Sequence, residues 1–232
     1  MPATLAASER SRRMAIPDHR LPSWSIGSIG VSVQGRQIER YDSRPDNPTR
    51  HVVVVCAIHG DERAAPALVD GFGRVERPDD LHLTLIPRLN PDGWEAGDRR
   101  NANGVDLNRN FPWGWPARPD SGPEAASEPE TRAIMTFLEA TRPDLAIWVH
   151  QPLDYVAALT GCPDWYADIW SAFSGVPVRL GVAQVGGGET WTSRALGIPS
   201  MLIEVGGTRD QPVGVSAHAE ALEALIFAVQ PN

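Results

Sequence analysis

The stretch His51-Val-Val-Val-Val-Cys-Ala-Ile58, followed at once by His59-Gly60-Asp61-Glu62, decides how this 232-residue chain is read. Val52 to Ile58 is its longest unbroken apolar run. A β-branched run without polar alternation is the mark of a strand covered on both faces by helices. Past the tetrad, Ala64, Ala67, Leu68 and Phe72 recur at helical spacing, which predicts a helix within Glu62 to Val75. His59 to Glu62 therefore occupies a strand-to-helix turn. Leu81 to Ile86 alternates around His82 and Thr84 as another strand. Two shorter apolar segments end on polar residues of chemical interest: Leu145 to Val149 on His150, and Ser200 to Ile203 on Glu204. Helices are expected from a capping box at Ser127/Glu130 to about Ala140, around Trp165 and Trp170, and from about Ser216 to Val229. The fold class expected is α/β, a mixed, largely parallel central sheet flanked by helices. In open sheets of this kind ligands collect beyond the carboxyl ends of the strands, where His59, Glu62, His150 and Glu204 would meet.

Working outward, residues 1–22 show no periodicity and read as a flexible N-terminal arm before a single catalytic domain over 23–232. Val31 to Tyr41 reads as a β-hairpin with Gly35 in its turn, and Asp42 to Thr49 as a loop. Phe111 to Ser127, with four prolines, two glycines and two tryptophans, reads as a surface loop. Lys and Arg number 21 against 29 Asp and Glu, for a net charge of -8. Without a basic excess or run, phosphate neutralisation is not available, so no nucleic-acid partner is expected. Seven apolar residues fall far short of the roughly 20 that cross a bilayer, so no membrane partner is expected either. The N-terminus lacks the basic start and apolar segment of a secretory leader, and a cytoplasmic location is expected. With only Cys56 and Cys162, there is neither a disulfide framework nor a thiolate-rich zinc module. Any metal must be held by His and carboxylates.

A catalytic zinc takes three protein ligands of these types and leaves a position open. His59, Glu62 and His150 meet that count. Each part alone has a plainer reading, since H-x-x-E pairs arise by chance and a histidine at a strand end is often structural. Asn90-Pro91-Asp92-Gly93 reads first as a turn. The segment Arg99 to Pro112, dense in Arg and Asn, is open between a solvated loop and a carboxylate receptor.

Taken together and in order, His59-Gly-Asp-Glu62, Asn90-Pro-Asp-Gly93, Asn103-Gly-Val-Asp-Leu-Asn-Arg-Asn110, His150 and Ile203-Glu204 resemble the zinc metallocarboxypeptidases over roughly residues 30–207. The run Arg99 to Pro112, Ser127-Glu-Pro-Glu-Thr131 and His150-Gln-Pro-Leu153 look most like the bacterial murein peptide amidases, which cut between γ-D-glutamate and meso-diaminopimelate. The resemblance implies one zinc per chain on His59, Glu62 and His150, with Asp106 fixing the His59 ring. It implies Glu204 as general base and then proton donor, and Asn108 and Arg109 as the clamp for the carboxylate of the released residue. It implies Arg99, with Arg100 as the alternative, polarising the scissile carbonyl. The substrate implied is a small peptide with a free C-terminal carboxylate, in the setting of cell-wall recycling. An N-acyl amino acid deacylase of the aspartoacylase type shares some of these elements, and a non-catalytic peptide-binding pseudoenzyme is the third reading. One departure stands out. Digestive members carry a mobile tyrosine ahead of the catalytic glutamate, whereas Gly181 to Ser200 has none, only Thr190 and Trp191.

Smaller expectations complete the reading. Gln151-Pro152 lies where the family bends sharply and is expected to be cis. Gly186 to Gly188 is open between a flexible flap and an ordinary turn, and Trp113 and Trp115 between rimming the cleft and anchoring their loop. His51 and His82 are placed on strands, and His218 on the polar face of a helix. Cys56 is expected to be an inert buried thiol.

Overall fold

A computed structural model describes residues 24–231; the expected arm over residues 1–22 lies outside the described residues. Among the described residues, seven strands form one mixed sheet: β1 (Ser25–Val31), β2 (Gln37–Ser43), β3 (Arg50–Cys56), β4 (Leu81–Ile86), β5 (Leu145–His150), β6 (Tyr155–Ala158) and β7 (Ser200–Glu204), in the order β1-β2-β4-β3-β5-β7-β6. The four inner strands β4, β3, β5 and β7 run parallel. The β1–β2 hairpin turns at Gly35, whose φ of +77° suits a residue without Cβ, and runs antiparallel along one edge. At the other edge β6 runs antiparallel to β7. The expected mixed, largely parallel α/β sheet is the one found.

Helices cover both faces, which is why β3 can be apolar on both sides. Val52, Val54 and Cys56 pack with α1 (Ala65–Phe72), α4 (Asp164–Ser174) and α6 (Val215–Ala228) through Leu68, Phe72, Trp170, Leu222 and Leu225. The alternate residues Val53 and Val55 face α3 (Pro129–Thr141) and α5 (Gly188–Arg194) through Ile134, Leu138 and Trp191. Each fully buried aliphatic side chain in these layers contributes about 1.5–3 kcal/mol relative to exposure. Between the layers, the strand ends present polar residues to one side of the molecule.

Several local readings are corrected by the structure. Asn90 to Gly93 is not a bare turn: Asn90 caps a further helix, α2 (Pro91–Ala96), its side chain accepting a 2.9 Å bond from the Gly93 amide. Ser127 is not the N-cap of α3. That position falls to Glu128, while the Ser127 hydroxyl donates to Glu128 and Glu130 turns inward to accept from the Val33 amide. The capping box fails because both acids are drawn into a buried network with Asn101 and Asn103. His218 is 1% exposed and faces the core, not a polar surface, accepting at Nδ1 from the Trp170 indole N–H at 3.1 Å. His51 and His82 are stacked on their strands with ring centroids 4.1 Å apart.

Candidate metal centre

Two of the sequence motifs are pressed backbone to backbone. A Cβ on Gly60 would stand 1.9 Å from the Gly93 carbonyl carbon, and one on Gly93 would meet the Arg100 carbonyl oxygen at 2.4 Å. Glycine at both positions is therefore a packing requirement. It seats His59-Gly-Asp-Glu62 on Asn90-Pro-Asp-Gly93 and on the segment that opens with Arg99. Just upstream, Ala57 takes a left-handed φ of +48°, and its carbonyl accepts from the Asn90 amide at 3.0 Å. Strand β3 is thus turned sharply, and His59 points across the sheet end.

There, His59, Glu62 and His150 converge, with their ligand atoms within 4.8 Å of one another and all three residues buried. His59 Nδ1 and His150 Nδ1 are 3.3 Å apart, and Glu62 Oε1 lies 2.6 Å from the first and 3.4 Å from the second. Two ligand atoms at about 2.0–2.1 Å from a tetrahedral zinc stand about 3.3 Å apart, so the trio fits that ion. Glu62 Oε2 is buried without a hydrogen-bond partner, as befits a carboxylate set for a cation. His59 Nε2 faces Asp106 Oδ1 at 3.2 Å, which leaves Nδ1 for the metal side. Asp106 also accepts from the Asn108 amide at 3.0 Å and from Arg99 Nε at 3.0 Å. Gln151 fastens the arrangement: its amide oxygen accepts from Ala64 N at 2.7 Å and its amide nitrogen donates to the Thr208 carbonyl at 3.0 Å. The Gln151-Pro152 peptide is cis, as expected.

A cleft of about 240 Å³ opens over this trio. Arg99, Asn108, Arg109 and Glu204 line it with the three donors, whereas Arg100 does not. Arg100 lines a separate concavity with Gln34, Arg36 and Asp92, so the adjacent arginines are directed apart. Glu204 is 7% exposed, and its Oε2 accepts from the Leu153 amide at 3.2 Å. Arg109 donates to the Asn108 carbonyl at 2.6 Å and keeps a buried Nε without a partner. Trp191, in the stretch without tyrosine, is buried against Phe111 and does not line the cleft. Trp113 and Trp115 do not line it either; the Trp115 indole anchors its own loop through the Ser121 carbonyl.

Among the lining residues that the sequence reading did not single out are Gln184, Glu189 and Arg209. Arg209 reaches the mouth on the turn after β7 and pairs with Asp61 at 2.6 Å. Gly188, beside Glu189, has its Cα against Trp148, where a Cβ would come within 2.5 Å, so the glycine run is a packed turn and not a loose flap.

The charges are interdependent. Burial raises the Glu62 carboxyl, yet the two histidines beside it more than offset this and hold it below the usual carboxylate range. Burial lowers His150, but Glu62, then Glu189 and Glu204, lift it to about 9. Burial dominates at Glu204 and raises it, with His150 and the Leu153 bond pulling the other way.

A mixed sheet that delivers two histidines and a glutamate to a water-accessible cleft, with a further acid, Glu204, on the cleft wall, defines a zinc-hydrolase type of centre. The match of residues 19–160 to the zinc carboxypeptidase family model is consistent with that class, and the chain belongs to this family. Murein peptide amidase A of Vibrio campbellii is 31% identical over 146 residues, which cover 56% of this chain and 58% of that protein. Its counterpart in Escherichia coli K12 is 30% identical over 118 residues, covering 44% and 49%. The chain thus matches about half the length of these curated relatives. The crystal structure of murein-tripeptide amidase MpaA from Escherichia coli O157 superposes with a TM-score of 0.70 at 24% identity, covering 90% of this chain and 91% of that one. Thrombin activatable fibrinolysis inhibitor gives 0.76 at 16% identity, covering 90% and 69%. These two likenesses concern the fold.

Proposed function

We propose that the protein is a zinc-dependent carboxypeptidase or amidase that releases a C-terminal, carboxylate-bearing residue from a small peptide, with diaminopimelate in murein peptides as the specific substrate. The observation that carries this reading is a single cleft holding the metal donors and Glu204 together with Asn108 and Arg109. The likeness to murein peptide amidases supports the choice of peptide.

His59, Glu62 and His150 would hold the ion, which when bound supplies an acidified water and polarises a carbonyl. Asp106 keeps the His59 ring oriented by accepting from Nε2, and makes that ring a stronger donor. Glu204 is the proton acceptor on the cleft wall and passes the proton to the departing nitrogen; a carboxyl raised by burial is suited to both steps. Arg99, braced by Asp106, faces the oxygen of the scissile carbonyl. Arg109 offers its unpartnered Nε, and Asn108 its weakly engaged amide, to the terminal carboxylate.

The test is hydrolysis of L-Ala-γ-D-Glu-meso-diaminopimelate by zinc-loaded and chelator-treated protein, followed by mass spectrometry. Chelator-sensitive release of diaminopimelate is expected. If protein carrying stoichiometric zinc releases none, the substrate assignment falls, and N-acyl amino acids become the next compounds to assay.

A further inference from the structure

Of the three arginines that line the cleft among the described residues, Arg99 and Arg109 have parts in the chemistry above and Arg209 has none. Arg209 sits on a turn after β7 that is closed by Thr208 N donating to the Gln211 carbonyl at 3.0 Å and Val213 N to the Gly206 carbonyl at 3.1 Å. That turn is fastened on two sides. The Arg209 carbonyl accepts from Arg63 N at 3.0 Å, and the Thr208 carbonyl accepts from the Gln151 side-chain amide at 3.0 Å. The guanidinium is therefore brought to the cleft mouth by its backbone. Its Nη1 reaches Asp61 Oδ1 at 2.6 Å, yet both of these atoms are buried without a hydrogen-bond partner. A guanidinium carries five N–H donors in a planar fork that fits a carboxylate, and in a ligand cleft the acceptor that completes it can come from the ligand.

We infer that Arg209 is a specificity-determining residue that binds a free carboxylate on the acyl-side residue of the substrate, the one whose carbonyl is attacked. This rests on reading the cleft as a carboxypeptidase site. What each arginine is tied to sets the side. The clamp leans on Asp106 through the Asn108 amide and on α5, where Asn108 Oδ1 accepts from Gly188 N at 2.8 Å. Arg209 is tied to Asp61 and Arg63, which flank Glu62, and its turn to Gln151, which follows His150. The metal donors thus stand between the two. A peptide that lays its terminal carboxylate on the clamp and its scissile carbonyl over the metal donors runs on toward Arg209, whose contact with Asp61 through Nη1 leaves the rest of the fork for an acid. In a peptide joined through α-carboxyls, the acyl-side residue has that group in the scissile amide, so a free carboxylate is a side-chain one. Where an acidic residue is joined through its side chain, the free group is its α-carboxylate. Either way the acyl-side residue is a dicarboxylic amino acid with one carboxyl in the amide and one free.

Two pairs of tripeptides, all ending in meso-diaminopimelate, isolate this charge: L-Ala-γ-D-Glu against its α-amide, and α-linked L-Ala-L-Glu against L-Ala-L-Gln. They are titrated calorimetrically into the full chain, metal-free, and into zinc-loaded Glu204→Gln protein. In both forms the acid of at least one pair should bind about tenfold tighter or more than its amide, the scale of one charge-assisted hydrogen bond, and the pair that shows it identifies the linkage. Arg209→Gln should bring the two affinities together, and Arg209→Lys should keep part of the gap. Equal affinities within both pairs, binding of none of the four, or an undiminished gap in Arg209→Gln overturns the inference. Should that variant not fold, a gap in the unaltered protein that does not narrow as salt is raised overturns it equally, since the charge of a half-exposed side chain is screened. Hydrolysis by the zinc-loaded, unaltered protein then separates the two readings. Release of diaminopimelate from acid and amide at equal kcat/KM removes the role of Arg209 and leaves the peptidase. No release from any of the four, with the gap intact in calorimetry, removes the peptidase and leaves the carboxylate site.

Discussion

Glu204 and Arg109 line one cleft, yet their replacement should separate proton transfer from substrate binding. In Glu204→Gln the buried shape and the contact with the Leu153 amide can be kept while the proton acceptor is lost. Turnover should fall by about 10² to 10⁴ with zinc content unchanged by emission spectrometry; near-normal turnover would sink the assignment. Arg109→Ala removes a half-buried guanidinium with an unpartnered Nε. It should cut kcat/KM by about thirtyfold or more for peptides with a free C-terminal carboxylate and spare amidated ones. Equal losses on both would make Arg109 a structural residue. At this scale the metal donors were legible, because few residue types bind zinc and three of them stood at strand ends. Arg99 and Arg100 could not be separated, since neighbours in a loop point wherever the backbone sends them. Glu189 was invisible, because an acid beside glycines reads the same whether solvated or buried.

Elements matter here through how closely they approach. The turn between β3 and α1 rests on the start of α2 with no room for a methyl group at Gly60. The obstructing atoms are backbone, which cannot swing aside as a side chain would. Gly60→Ala should therefore lower stability by about 3 kcal/mol or more and reduce zinc content in parallel, read by thermal unfolding and metal analysis. An unchanged melting temperature with full zinc would show that the motifs are not in the contact described. The sequence located most elements by periodicity, but it missed α2, α5 and β6 and placed the start of α3 a residue early. Asn90-Pro-Asp-Gly93 looks like any turn until Asn90 is seen capping six further residues. The Ser127 hydroxyl had a competing partner in Glu128 that local pattern cannot weigh.

The whole molecule is two apolar layers on one sheet, and the layer built from α1, α4 and α6 contains His218. Its Nδ1 accepts from Trp170, which can only donate, so the ring is neutral at that atom. Burial lowers its pKa to about 4, against a weaker opposing pull from Asp154. The unfolded chain, titrating near 6.5, binds the proton first, so this contribution is fully present above about pH 6.5 and is lost as pH falls toward about 4. Between pH 7.5 and 5 the loss should be about 2 kcal/mol. His218→Gln keeps an acceptor for Trp170 and does not titrate, so its urea-unfolding free energy should fall less over that range. Parallel pH profiles for the two proteins would remove His218 as the cause.

By itself the sequence determined the fold class, the histidine-and-carboxylate character of any metal site and its candidate donors, because each is a matter of residue chemistry and local spacing. A β-branched run must be covered, and histidines and carboxylates without cysteine thiolates leave few ways to hold zinc. Only the tertiary structure decided which of two arginines enters the cleft, which acids are buried, and that glycine-rich turns are packed tight. Those outcomes depend on contacts between segments far apart in the chain: Gly60 with Gly93, Gly188 with Trp148, and Asn108 with Glu189.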